Sequence, residues 1–138
     1  MDILSDILQK LGIEGRPVNT VPALTLAYLG DCIYELVIRT MLVEKGISHV
    51  SELNKAAVGY VKASAQKDMY FTIESELSEE ELAAFKRGRN VKSSGVPKNA
   101  TVNDYRIATG FEAMLGYLYA SGRSDRVIEL VRMGVEAS

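Results

Sequence analysis

Residues 24–39 read LTLAYLGDCIYELVIR. Leu26, Leu29, Ile33, Leu36 and Val37 recur at helical spacing, which predicts a helix largely buried in the core. Between Val21 and Tyr34 the only formal charge is Asp31. Desolvating an unpaired ionised acid is costly. Such an acid calls for a neutralising metal ion, an arginine, or a neighbouring helix end to cap. Glu35 follows one turn later on the same face.

Residues 107–122, IATGFEAMLGYLYASG, repeat the pattern, and their only charge is Glu112. Two apolar helices with one carboxylate each in mid-helix suggest two acids sharing a site. Each acid then makes the other's burial worse unless a cation sits between them.

The segment LAYLGDCIYELVIR (26–39) resembles the signature helix of the ribonuclease III family, whose pattern is close to LEFLGDAVLEL. YRIATGFEAMLGYLY (105–119) resembles that family's second acidic helix, DVFEALIGA in its long enzymes. FKRGRNVKSSGVPKNATVNDYRIATGFEA (85–113) is similar to the connecting segment of the short bacterial Mini-III subfamily, which lacks a double-stranded-RNA-binding domain. The resemblance spans roughly residues 20–121. It implies an all-α, dimeric catalytic domain acting as a magnesium-dependent endoribonuclease on double-stranded RNA. It further implies maturation of 23S ribosomal RNA ends in the cytoplasm, helped by a ribosomal protein. Asp31 and Glu112 match the family acids that hold magnesium and carry catalysis. Glu35 matches none of the long enzymes' four catalytic acids and is assigned a supporting or interface role. Ala27 stands where LEFLGD has its first acid, and Thr109 where DVFEA has its aspartate. The Mini-III subfamily shares both departures, which leave the number of metal ions open. The alternative is a catalytically silent domain that binds structured RNA. A purely helical interaction module would leave the acids and the basic cluster unexplained.

Composition agrees with one ribonuclease III-like domain over residues 1–138, with 47% hydrophobic and 25% charged residues. The net charge of −2 advertises no global basic surface. Residues 86–98, KRGRNVKSSGVPK, carry five positive charges and no acid, so the rest of the chain holds seven negative charges in excess. Gly88, Gly95 and Pro97 predict a loop at about 86–101. Positive charge concentrated in an otherwise acidic chain favours phosphate contact through Lys86, Arg87, Arg89, Lys92 and Lys98. No RRM-like aromatic pair, KH loop or zinc knuckle accompanies it. The single histidine, His49, lacks a partner at ligand spacing, which argues against zinc and against a Ser-His-Asp hydrolase. Cys32, the one cysteine, rules out an internal disulfide and is expected to pack in the core. No apolar run is long enough to span a membrane, and Asp2 and Asp6 argue against a signal peptide.

The remaining periods are all helical. A short amphipathic helix ends near Gly12, and residues 13–22 form a linker punctuated by Gly15, Pro17 and Pro22. The signature helix covers about 23–45, with Gly30 inside it to admit another backbone beside Asp31. Ser48 is expected to cap a helix over 49–70, with Val50, Leu53, Ala57, Val61 and Ala65 inward. Lys55, Lys62 and Lys67 point outward, solvated or flanking an RNA groove. Ser78 and Glu81 fit a capping box for a helix ending near Gly88. The second acidic helix starts at Thr101 or Asn103, with Tyr105, Tyr117 and Tyr119 as packing residues. A last helix over 124–136 turns Val127, Ile128, Leu130 and Val131 inward. The expected fold is all-α, with about six or seven helices.

Overall fold

Seven α-helices and no strand form among the described residues of the computed structural model, which are 2–91 and 101–137. Helix α1 (Ile3–Leu11) is capped by Asp2, whose carboxylate accepts from the Ser5 N–H at 2.8 Å. A 3-10 turn at Val18–Thr20 leads into α2 (Ala23–Glu44). Then come α3 (Val50–Val61), α4 (Ala63–Ile73), α5 (Glu79–Arg89), α6 (Val102–Ala120) and α7 (Ser124–Glu136). The all-α expectation holds, and Thr101 caps α6 by accepting from the Asp104 N–H. No helix among the described residues is long and apolar enough to cross a membrane.

Helix α6 is the axis of the fold and packs against α2, α4, α5 and α7. Every residue from Ile107 to Leu118 is buried except Glu112. A helix covered on all sides needs no amphipathic face, and α6 has almost none. Its crossing with α2 is unusually close because both helices have glycine at the contact. A Cβ on Gly30 would meet the Glu112 carbonyl oxygen at 1.7 Å, and one on Gly116 would meet that of Leu26 at 1.8 Å. The predicted backbone approach beside Asp31 is therefore present.

The capping box of α5 also exists: Ser78 Oγ accepts from the Glu81 N–H, and Glu81 accepts from the Ser78 N–H. Glu81 is only 3% exposed, so its charge needs an internal partner. Arg126 of α7 supplies it with a two-pronged contact at 2.7 and 2.9 Å, and also donates to the Glu76 carbonyl. The buried acid held by arginine, one alternative raised for Asp31, is thus realised at Glu81.

Seven expectations need correction. The helix predicted over 49–70 is two helices, broken at Lys62, whose ψ of 154° is extended. The buried stripe changes phase there, from Leu53, Ala56, Ala57 and Val61 to Gln66, Met69, Tyr70 and Ile73. His49, not Ser48, occupies the cap position of α3, and Val50 is exposed. Lys67 is not a free outward lysine but pairs with Asp104 of α6 at 2.8 Å. Ile128 and Cys32 are exposed rather than packed inside. Residues 86–89 continue α5 and are not loop, while the rest of the predicted basic loop, at 92–100, lies outside the described residues.

Candidate active site

The glycine crossing of α2 and α6 decides where the two acids go. Asp31 follows Gly30, and Glu112 contributes the carbonyl that Gly30 meets. Their side chains come close enough for each charge to act on the other. Asp31 is exposed, contrary to the expected desolvation, whereas Glu112 is half-buried. Glu112 is pushed up to about 8, first by burial and then by the Asp31 charge, with a further push from Glu35. The Gln66 amide opposes this by donating to Glu112 Oε2 at 3.4 Å.

Glu35 lies close enough to add charge to the site, but pairs with Arg39 at 3.6 Å. Thr109 and Glu112, one turn apart, line a cavity of about 200 Å³ together with Val61, Gln66 and Tyr105. The Thr109 hydroxyl donates to the Tyr105 carbonyl of its own helix at 2.9 Å. Ala27, on the buried face of α2, offers no polar group.

These residues fit a hard divalent cation by donor type, because every polar atom they bring is oxygen except the Gln66 amide nitrogen. No lysine or arginine pairs with Asp31 or Glu112 among the described residues. Gln66 also leaves Oε1 buried without a hydrogen-bond partner. Among the described residues no group of three or more His, Cys, Asp or Glu gathers at ligand distance, so the acidic set is a pair. Magnesium is commonly held by one or two carboxylates with its other positions left to water and substrate phosphate.

The sequence profile of the ribonuclease III domain matches residues 24–123. The chain belongs to the ribonuclease III family. Its curated relatives include Mini-ribonuclease 3 of Brevibacillus brevis, 47% identical over 125 residues, covering 91% of this chain and 92% of that one. Mini-ribonuclease 3 of a Thermoanaerobacter species is 44% identical over 132 residues, covering 96% and 89%. A crystal structure of a Fusobacterium nucleatum protein superposes with a TM-score of 0.76 at 31% identity, covering 86% of this chain and 94% of that one. As a ribonuclease III, the chain is an endoribonuclease.

Within this ribonuclease III domain the basic residues sit at the end of α5. Lys86, Arg87 and Arg89 form its last turn, where cations complement the helix dipole. Arg87 lies over the Tyr117 ring and Arg89 over the Phe85 ring, each at 5.6 Å. The same turn is pressed onto α6 at Gly88, where a Cβ would lie 3.0 Å from the Thr109 carbonyl oxygen. The basic end of α5 is therefore one helical turn from Glu112. Lys92 and Lys98 lie outside the described residues. Gln66 was missed from the sequence, since a lone amide beside the expected inward Ala65 carries no signal of its own.

Proposed function

We propose that the chain hydrolyses double-stranded RNA with magnesium held by Asp31 and Glu112, leaving 5′-phosphate and 3′-hydroxyl ends. The observation that carries this reading is the pairing of two carboxylates on crossing helices, with no basic side chain between them among the described residues. Bound there, magnesium neutralises phosphate charge and eases deprotonation of the attacking water. Asp31 reaches solvent and substrate, while Glu112, set deeper, holds a proton until a cation replaces it. Lys86, Arg87 and Arg89 at the end of α5 bind RNA phosphates, and Lys92 and Lys98 are assigned the same role from the sequence. Glu35 and Thr109 support the site.

Two copies are proposed to pair through the outer face of α2, where Leu24, Tyr28, Leu36 and Val43 are exposed at intervals of four, eight and seven residues. A two-fold dimer offers one site to each strand. Resemblance to the Mini-III connecting segment supports a cytoplasmic role in 23S ribosomal RNA maturation, aided by a ribosomal protein.

The test is a long RNA duplex incubated with the protein, with and without magnesium. Cleavage that needs magnesium and yields 5′-phosphate ends is expected. A second reading, binding without cleavage, draws on Ala27 and Thr109, which leave two acids where the long enzymes have four. Retention of the duplex uncut in magnesium would establish that reading instead. Sedimentation at micromolar concentration checks the dimer, which a monomer mass would refute.

A further inference from the structure

Helix α3 ends at Val61 because Lys62 is extended. A helix end leaves carbonyls without donors from the next turn. Gln66 satisfies the one at Val61: its Nε2 donates to the Val61 oxygen at 2.8 Å. A backbone carbonyl can only accept, so this bond fixes which way the amide faces. The same NH2 group reaches Glu112 Oε2 at 3.4 Å. Oε1 is then left over, on a residue 3% exposed. It is the one buried side-chain polar atom without a partner among the described residues. Buried polar atoms nearly always have partners, and a methionine here would avoid the cost. Gln66 and Glu112 line the same cavity.

We propose that Gln66 completes the cation site. Its N–H fixes the Glu112 carboxylate, and its Oε1 is a third, uncharged oxygen donor to the same divalent ion. This rests on the magnesium reading of Asp31 and Glu112. Hard cations accept amide carbonyl oxygen beside carboxylate oxygen. A neutral donor adds a ligand without a third negative charge next to two that already repel. It stands on α4, outside the two acidic helices, and the break at Lys62 sets its position.

The test titrates the full chain with magnesium chloride, read by calorimetry and by melting temperature. It compares wild type, Gln66→Met and Gln66→Glu. Methionine keeps the volume and removes the oxygen, and glutamate keeps an oxygen and adds charge. Gln66→Met is expected to weaken magnesium affinity about tenfold or more. Gln66→Glu is expected to bind magnesium more tightly than wild type, while melting lower without it. If Gln66 only caps Val61, both variants melt lower with magnesium affinity unchanged, and the proposal fails. Should Gln66→Met not fold, Gln66→Glu decides, and affinity no tighter than wild type overturns the proposal. A wild type with no magnesium response overturns the two-acid site together with this inference. A magnesium affinity that Gln66→Met leaves unchanged overturns this inference alone.

Discussion

Gly30 and Glu112 touch through their backbones: a Cβ on Gly30 would lie 1.7 Å from the Glu112 carbonyl oxygen. On a free helix, alanine in place of glycine gains up to about 1 kcal/mol. Here the obstacle is main chain and cannot swing aside. Overpacking typically costs about 1–3 kcal/mol, and more where nothing yields. Gly30→Ala and Gly116→Ala are each expected to lower stability by about 3 kcal/mol in urea unfolding. A midpoint at or above wild type would show that α2 and α6 part freely.

Asp31→Asn and Glu112→Gln should each abolish duplex cleavage while leaving the helical circular dichroism intact. Neither side chain anchors the core, since Asp31 is exposed and Glu112 half-buried. Near wild-type cleavage by either variant would end its assignment as a catalytic acid.

Glu112 also sets a pH dependence. Its carboxyl is raised from an ordinary 4.5 to about 8. Between those values the folded chain binds this proton more tightly than the unfolded chain does. The contribution to stability is therefore complete below 4.5 and is lost as pH rises through 8. Metal-free protein should melt lower across that window, and Glu112→Gln should flatten the slope. Glu81 acts the other way at lower pH: Arg126 holds it below the usual carboxylate range, and its contribution is lost as pH falls through that lowered value. Identical slopes in wild type and Glu112→Gln between pH 4.5 and 8 would contradict the Glu112 account.

Thr109→Asp places a second acid on the cavity wall, beside Glu112. Without metal it should melt lower than wild type, through added repulsion. With magnesium it should gain more than wild type does. A site filled at a hundredfold excess over its dissociation constant contributes about 2.7 kcal/mol, which scales the comparison. Equal gains in the two proteins would place Thr109 outside the reach of the cation.

Replacing Lys86, Arg87 and Arg89 together by glutamine should weaken duplex binding and reduce its salt dependence. Each phosphate that is no longer neutralised lowers the slope of log K against log salt by about 0.9 units. Filter binding at several salt concentrations gives the slope, and an unchanged value would mean that the α5 terminus only complements its own helix dipole.

The acidic pair was legible because charge is scarce on both helices and Gly30 announced a close crossing. The capping box at Ser78 was legible because its reciprocal bonds are local. What escaped depends on tertiary contact. Nothing between Val50 and Ile73 marks Lys62 as a break, since Gly59, the residue most able to interrupt a helix there, stays inside α3. An apolar helix such as α2 hides which of its faces meets the core, so Cys32 and Asp31 were expected inside and lie outside. Arg126 is separated from Glu81 by forty-five positions, and no local pattern joins them.

Glu112 interrupts the most deeply buried run among the described residues, from Ile107 to Leu118. Amide exchange along that run is expected to be the slowest among the described residues, because α2, α4, α5 and α7 all pack on α6. Heat inactivation and melting should then coincide in one transition, with no window in which a folded but inactive enzyme accumulates. An acid seated on the element expected to unfold last keeps its place for as long as the protein has a fold at all.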